Sequence, residues 1–247
     1  MTTRLTVLGS SARFATPERA CSGYLVDLDG HKVWLDAGAG AWQNLLRHCR
    51  FEDLEGVVLT HRHPDHVTDV FQLRHALLFG PRGRLPDLPL WAPAETIESL
   101  SAYDDLSDGF DTHAVDGGTS MTFAGATFRF VSMAHPPDTV GVRIESRDGV
   151  VAYSADSGEG ADFAALAGDA DLFVCEASNQ DSDELWEGHL RAAQAGRVAR
   201  EAGARRLVLT HLPVGRDLER SLAEARREAG DVPVELAADG AVYEVAP

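Results

Sequence analysis

The hydrophobic positions in the first third of the chain fall into short runs that predict alternating strands and helices. Apolar runs closed by glycine, serine or aspartate predict three strands, LTVLGS, SGYLVDLDG and HKVWLDAG. Apolar residues recur at helical spacing in AWQNLLRHC and again in VTDVFQLRHALLF, which predicts two helices. The continuous apolar run GVVLT between them is typical of a strand that is buried on both faces.

The rest of the chain divides into a strand-rich middle and a second alternating part. The middle contains LPLWAP, a helical AETIESLSAY and three strand patterns, TFAGATFRFVSMAH, TVGVRIES and GVVAYSAD. The last third alternates DLFVCEAS, RRLVLTH and AVYEVAP with the helical patterns HLRAAQAGRVAREAG and DLERSLAEARREAG. Because no repeat or linker interrupts this order, we expect a single α/β domain over residues 1–247, with two β-layers flanked by helices.

Composition narrows the functional classes. The formal charge of −17 disfavours the binding of long nucleic acid, although a divalent metal site could still attract a small phosphate. No run approaches the roughly 18 apolar residues of a membrane span, and the opening MTTRLTVLGSS has no export leader. The three cysteines are odd in number and widely spaced, which fits a reducing compartment. We therefore expect a cytoplasmic protein with no membrane contact.

Four potential metal ligands cluster directly after the buried GVVLT strand. His61 and His63 are two residues apart, so in extended chain they project to the same side and can reach one metal ion. A turn through Pro64 then offers Asp65 and His66 to a second ion. A solvated polar loop would be the alternative interpretation, but this residue combination between a buried strand and a helix favours metal binding.

Further donors stand at the ends of later strand patterns. His135 ends FRFVSMA, Asp156 follows GVVAYSA, and His211 follows RRLVLT. Taken singly, they could be a turn residue, a cap and a strand-end residue. As a group they supply the ligands that the first cluster lacks. The other histidines lie outside this pattern and receive no chemical role: His31, His48, His75 and His113.

These residues closely resemble the motifs of the metallo-β-lactamase superfamily over nearly the whole chain. Its His-x-His-x-Asp-His motif stands here as HRHPDH, and its later ligands stand in MAHPP, YSADSG and LTHLP. The resemblance implies an αββα sandwich with the site at the edge of the two sheets. It also implies two divalent ions, zinc being favoured and manganese or iron being possible. The implied ligands are His61, His63 and His135 for one ion, Asp65, His66 and His211 for the other, and Asp156 as a bridge.

Glu176 and His189 indicate a branch of the superfamily. Glu176 ends the DLFVC strand pattern and His189 opens the next helical pattern, so they could form a carboxylate–imidazole pair. They could instead be a solvent-exposed carboxylate and an ordinary first-turn residue. The motifs CEAS and GHL, with the N-terminal LTVLGSS and SGYLV, resemble the ribonuclease Z-like phosphodiesterases, in which the pair is thought to protonate the leaving oxygen. Cys175 departs from that branch, where histidine is usual.

The same resemblance predicts the reaction. The chain lacks the long Gly- and Pro-rich arm of ribonuclease Z and is more similar to compact cyclic-nucleotide phosphodiesterases of the branch. We expect a hydroxide oriented by Asp65 to attack phosphorus in a small anionic phosphodiester, with His189 and Glu176 serving the leaving group. The alternatives are an RNA endonuclease, a hydrolase of carboxylic or sulfuric esters, lactones or thioesters, and a silent metal-binding scaffold. The resemblance also suggests a homodimer.

Overall fold

The computed structural model describes residues 2–184 and 186–245. Residue contacts divide the chain into two compact units. The N-terminal unit comprises Arg4–Asp116 and Ala238–Tyr243, and the C-terminal unit comprises Gly117–Ala237 with short segments from both chain ends. Within the described residues, no helix has the length and apolar character needed to cross a membrane. The expectation of one domain over residues 1–247 stays a prediction.

Sixteen strands and seven α-helices are assigned within the described ranges. The strands are β1 Thr3–Gly9, β2 Ser11–Ala12, β3 Gly23–Leu28, β4 His31–Ala37, β5 Leu54–Val58, β6 Leu88–Ala92, β7 Phe110–Ala114, β8 Ser120–Phe123, β9 Ala126–Ser132, β10 Val140–Ser146, β11 Gly149–Tyr153, β12 Leu172–Glu176, β13 Leu207–Thr210, β14 Leu212–Pro213, β15 Val234–Leu236 and β16 Val242–Val245. The helices are α1 Ala41–His48, α2 Pro64–Val67, α3 Val70–Phe79, α4 Ala94–Ser101, α5 Phe163–Ala167, α6 Ala192–Glu201 and α7 Leu218–Ala229, with a 3₁₀ turn at Phe51–Asp53.

The sheet of the N-terminal unit has the strand order β16-β1-β3-β4-β5-β6-β7. Strands β3 and β4 form an antiparallel hairpin, whereas β4, β5, β6 and β7 run parallel to one another. Parallel strands are covered on both faces, which explains why the second half of β5 and the following Leu59 are apolar and buried. Trp34 of β4, Leu45 of α1 and Leu73 of α3 are fully buried in the core of this unit.

The sheet of the C-terminal unit has the order β15-β13-β12-β11-β10-β9-β8. Its strands β8 to β11 form an antiparallel meander, and β11, β12, β13 and β15 are parallel. Helices α6 and α7 pack closely at Gly196, where an added Cβ atom would collide with the carbonyl oxygen of Ala225. The apolar faces of both helices contribute to the core of this unit. Two seven-stranded sheets accompanied by helices confirm the predicted α/β fold class.

The structure differs locally from the sequence prediction at several places. The single strand pattern TFAGATFRFVSMAH, for example, forms parts of the two strands β8 and β9. The VTDVFQLRHALLF pattern does not form one helix, since α2 ends at Val67 and α3 starts at Val70. Helix α5 was not predicted, because five residues are too few to show a helical period. The prediction that His189 opens a helix was wrong: α6 begins at Ala192, because residues 190 and 192 first bond to the main chain of Asn179.

Candidate metal centre

The HRHPDH segment of the N-terminal unit leads from β5 into α2. His61 and His66 are fully buried, while His63 and Asp65 are half-buried. The Nε2 atom of His61 lies 3.1 Å from the Nδ1 atom of His63. Two ring nitrogens at this separation can bind the same ion, as the two-residue spacing predicts.

A buried carboxylate that the sequence reasoning missed, Asp36, orients this segment. Asp36 lies in β4, whose residue Leu35 is in register with Val58 of β5. Its carboxylate accepts hydrogen bonds from the Thr60 main-chain N–H at 2.8 Å and from the Thr60 hydroxyl at 2.9 Å. It also contacts Nδ1 of His66 at 2.7 Å. Its only sequence signal was a carboxylate in an apolar strand pattern next to the histidine loop.

These contacts select the ring nitrogens that can bind a metal. A carboxylate accepts but cannot donate, so His66 donates its Nδ1–H to Asp36 and keeps a lone pair on Nε2. The hydroxyl of Thr60 gives its proton to Asp36 and therefore accepts from Nδ1 of His61, at 3.1 Å. His61 consequently also keeps its lone pair on Nε2, the atom that faces His63.

Asp65 is held by the main chain of a different loop. Its Oδ2 atom accepts a hydrogen bond of 2.6 Å from the N–H of Arg13, a residue with a positive φ of 70°. One carboxylate oxygen is thereby positioned and the side chain cannot rotate freely. This contact fits either predicted role for Asp65, as a ligand or as the group that orients a water molecule.

In the C-terminal unit, three predicted residues lie at the carboxyl ends of adjacent parallel strands. Glu176 ends β12 and is in register with Thr210 of β13, which His211 follows. Asp156 lies shortly after β11, the other neighbour of β12. Together with His189, these side chains offer ligand atoms within 4.8 Å of one another. The structure thus brings together Asp156 and His211, both predicted at strand ends, and adds Glu176 and His189 to them.

His135 is buried and approaches the same group of side chains. Its Nδ1 lies 2.8 Å from the carbonyl oxygen of Gly188, which can only accept, so Nδ1 carries the proton. Its Nε2 therefore has the lone pair and lies 3.8 Å from Oδ2 of Asp156. Burial lowers the pKa of His135, and this outweighs the opposing effect of the Asp156 carboxylate. A neutral imidazole is the form that binds metal.

His211 is oriented by Ser178, which the sequence reasoning also missed. The Ser178 hydroxyl donates to the carbonyl of His211 at 3.0 Å and is 2.9 Å from its Nδ1. The hydroxyl proton is engaged with the carbonyl, so Nδ1 of His211 donates to Ser178 and Nε2 keeps the lone pair. His211 also adopts a positive φ of 53°, an uncommon conformation for a side chain of this size.

Glu176 and His189 form the pair that the sequence predicted. Glu176 is fully buried, which excludes the solvent-exposed interpretation. Its Oε1 lies 2.6 Å from Nδ1 of His189 and 2.8 Å from the N–H of Ser157, while Oε2 accepts from the N–H of Ser178 at 3.1 Å. His189 thus donates Nδ1–H to a fixed carboxylate, and its lone pair is on Nε2.

Comparison with known proteins places the chain in a family. The family described as the beta-lactamase superfamily domain matches residues 31–212, about three quarters of the chain. The chain belongs to the β-lactamase superfamily. Within this superfamily it is 32% identical to the probable metallo-hydrolase YhfI of Bacillus subtilis, over 85% of this chain and 87% of the relative. It is 28% identical to a ribonuclease Z of Myxococcus xanthus, over 98% and 97% of the two chains.

A solved structure supports the same assignment. The crystal structure of the metallo-beta-lactamase fold protein YhfI aligns with a TM-score of 0.90 at 29% identity, covering 99% of this chain and all of that one. The predicted metallo-β-lactamase fold is confirmed, as is the likeness to ribonuclease Z. At the level of class, this β-lactamase superfamily protein is a metallo-hydrolase.

The side chains present fit divalent cations. Each unit presents imidazole nitrogens with lone pairs selected by a fixed partner, together with at least one carboxylate. Mixed nitrogen and oxygen donors suit zinc, and partners that hold the opposite ring nitrogen are typical of metal-binding histidines. The histidines without a predicted role behave differently. His31, His75 and His113 are exposed and lie beside surface carboxylates.

Proposed function

We propose that this metallo-hydrolase is a dinuclear phosphodiesterase that acts on a small anionic phosphodiester such as a cyclic nucleotide. The ligand assignment is part of the proposal. His61, His63 and His135 would hold one divalent ion, Asp65, His66 and His211 the other, and Asp156 would bridge them. Zinc is the proposed metal. When bound, the two ions would supply an activated water nucleophile and neutralise charge on the phosphoryl oxygens.

The observation that carries the proposal is the Glu176–His189 pair. An alkoxide leaving phosphorus is a strong base, so its departure is accelerated when a positioned acid protonates it. His189 is only 10% exposed, and its Nδ1–H is committed to Glu176 at 2.6 Å. A second proton on Nε2 would be stabilised by the buried carboxylate. The pair is therefore suited to protonating a leaving oxygen, a step that the weakly basic thiolate of a thioester needs much less.

Asp65 would orient the attacking water. Its Oδ2 is held by the Arg13 N–H at 2.6 Å, so the carboxylate has a set direction. A carboxylate fixed in this way can accept a hydrogen bond from the attacking water and align one of its lone pairs with phosphorus. In this scheme, Asp65 serves the nucleophile and His189 serves the leaving group.

The substrate class follows from charge and size. The net charge of −17 repels long polyanions, whereas a small phosphodiester would meet the local positive charge of two cations. The ribonuclease Z relative favours a second candidate, RNA endonuclease activity, because it matches almost the full chain. Cytoplasmic location, expected from the sequence, and a homodimer, suggested by the family resemblance, stay predictions.

The experiment that tests the proposal is a turnover panel on the purified protein with metal content measured. The panel contains cyclic AMP, bis(p-nitrophenyl) phosphate, a transfer-RNA precursor, and ester, lactone and thioester controls. We expect cleavage of the small phosphodiesters. The His63→Ala variant should lose both metal and activity, while Tyr103→Ala, a change at an 82% exposed side chain, serves as the matched control.

The outcomes separate the candidates. Cleavage of the transfer-RNA precursor with little activity on cyclic AMP would replace the proposal with the endonuclease. Activity confined to the ester, lactone or thioester substrates would refute phosphodiester hydrolysis altogether. Full metal content in His63→Ala would contradict the ligand assignment independently of the substrate.

A further inference from the structure

A cavity of about 530 Å³ opens beside His189 in the C-terminal unit. Its volume lies within the range of roughly 300–1,000 Å³ that is usual for small-molecule sites. The largest side chain lining it is Trp186, which is 50% exposed although its neighbours His189 and Gly188 are largely covered. Half of an indole ring is therefore available for a ligand to cover, directly next to the proposed proton donor.

The indole ring of Trp186 packs against two histidines and a glycine. Its centroid lies 4.8 Å from that of His189 and 5.5 Å from that of His135, with steep interplanar angles of 63° and 83°. A Cβ atom at Gly188 would lie 2.7 to 2.9 Å from three carbons of the six-membered ring, so the ring lies directly over the Gly188 backbone. An aromatic surface of this kind can stack a nucleobase.

The polar lining of the cavity is acidic. Glu159 lines it and is held by two residues of α6, Gln194 and Arg197. The Gln194 amide is itself oriented, because its Oε1 accepts from the N–H of Arg191 at 2.6 Å and its Nε2 faces Glu159. A carboxylate has about four acceptor positions, and these two contacts leave the others for a ligand. Glu187 adds a second carboxylate.

This lining selects for ligand groups that donate hydrogen bonds. Among the described residues, no lysine or arginine lines the cavity, so it is unsuited to a further phosphate. The apolar walls of Ala134 and Pro136 beside Trp186 suit a flat ring. A nucleobase with an exocyclic amine combines the two properties, because its faces are apolar and its edge donates.

We propose that this cavity binds the base of the nucleoside whose ribose carries the leaving oxygen, with Trp186 as the stacking surface and Glu159 as the acceptor for an exocyclic amine; in a cyclic nucleotide that oxygen leaves phosphorus and stays on the ribose. The inference rests on the proposed phosphodiesterase activity, because the cavity is assigned to this base on the ground that His189, the proposed proton donor to the leaving oxygen, lines it. It names the substrate class as a mononucleotide phosphodiester of adenine, guanine or cytosine, in preference to uracil or thymine.

The first test measures binding without metal or turnover. Adenosine and uridine are titrated into the metal-free protein while tryptophan fluorescence is recorded. Trp186 is half-exposed in the cavity, whereas Trp34 is fully buried and Trp42 and Trp91 are partly buried outside the cavity lining. We expect adenosine to quench the emission and Trp186→Phe to lose that response. Replacing the acceptor by Glu159→Leu should reduce the preference for adenosine over uridine by roughly 10-fold. Quenching that persists in Trp186→Phe, or an unchanged preference in Glu159→Leu, would overturn the assignment.

The second test compares cyclic AMP with the cyclic phosphate of ribose that carries no base. Base stacking on an aromatic side chain is worth roughly a 5- to 150-fold change in affinity. Trp186→Ala should therefore lower the ratio of kcat/KM for cyclic AMP to that for the abasic substrate by about this factor, chiefly through KM. Tyr103→Ala, outside the cavity lining, should keep the wild-type ratio.

The two tests distinguish failure of the inference from failure of the proposed function. If cyclic AMP is cleaved but the ratio is the same in Trp186→Ala, the phosphodiesterase stands and the base site is refuted. If adenosine binding depends on Trp186 but no phosphodiester is cleaved, the base site stands and its placement on the leaving side falls.

Discussion

The leaving-group dependence of a His189 variant gives the sharpest test of the mechanism. His189→Ala removes the imidazole that Glu176 positions through its short 2.6 Å contact. A positioned general acid contributes roughly 10²- to 10⁴-fold, or about 3 to 5 kcal/mol of barrier. We expect kcat for cyclic AMP, whose leaving group is an alkoxide, to fall by this factor. For bis(p-nitrophenyl) phosphate the loss should be below about 10-fold, because p-nitrophenolate is a weak base that departs without a proton.

Glu176→Gln should reduce the activity on cyclic AMP by less than His189→Ala does. The amide keeps the size of the carboxylate but removes the charge that stabilises a protonated His189. The difference between a charge-assisted and a neutral hydrogen bond is about 1–2 kcal/mol, which corresponds to roughly a 5- to 30-fold loss on cyclic AMP. The amide nitrogen would also face the N–H of Ser157 or Ser178, so the variant should be less stable by about 1–3 kcal/mol.

The assay is steady-state kinetics on both substrates, with metal content measured for each variant. On cyclic AMP, kcat should fall in the order wild type, Glu176→Gln, His189→Ala. On bis(p-nitrophenyl) phosphate, the same three proteins should differ in kcat by less than about 10-fold. An equal loss on both substrates would refute proton donation to the leaving oxygen. Loss of metal from His189→Ala in parallel with activity would reassign His189 as a ligand.

Three further predictions concern the metal centre and the thiols. Asp36→Asn should weaken metal binding by roughly 10- to 100-fold in a competition titration with a chromophoric chelator, because Asp36 orients His66; unchanged affinity would contradict that role. Removal of metal by a chelator should abolish turnover and lower Tm, and added zinc should restore both; activity that survives dialysis against the chelator would refute metal dependence. Burial raises the pKa of Cys21 to about 12 and that of Cys49 to about 11, so at pH 8 about one Cys21 in 10⁴ is a thiolate. The thiols of the folded protein should therefore react with iodoacetamide far more slowly than those of the unfolded protein, and equal rates would contradict this.

The sequence reasoning succeeded where a residue's position follows from regular structure. Asp156 and His211 were both predicted as donors at strand ends, and they lie close together because parallel strands bring their carboxyl ends to one edge of a sheet. Asp36 was missed because an aspartate that closes an apolar strand pattern is common and usually signals only a turn. The carbonyl of Gly188, which selects the tautomer of His135, leaves no trace in side-chain chemistry.

The error at His189 explains how the proton-transfer pair is held. Helical periodicity placed His189 in the first turn of a helix, where its direction would follow from the helix itself. In the structure, the Asn179 N–H donates to the carbonyl of Leu190 at 3.0 Å and the Ala192 N–H donates to Asn179 at 2.9 Å. The segment before α6 is thereby fastened to the residues just beyond β12, the strand that Glu176 ends. His189 and Glu176 are thus positioned by one stretch of backbone, and a short, well-directed contact between them requires no helix at residue 189.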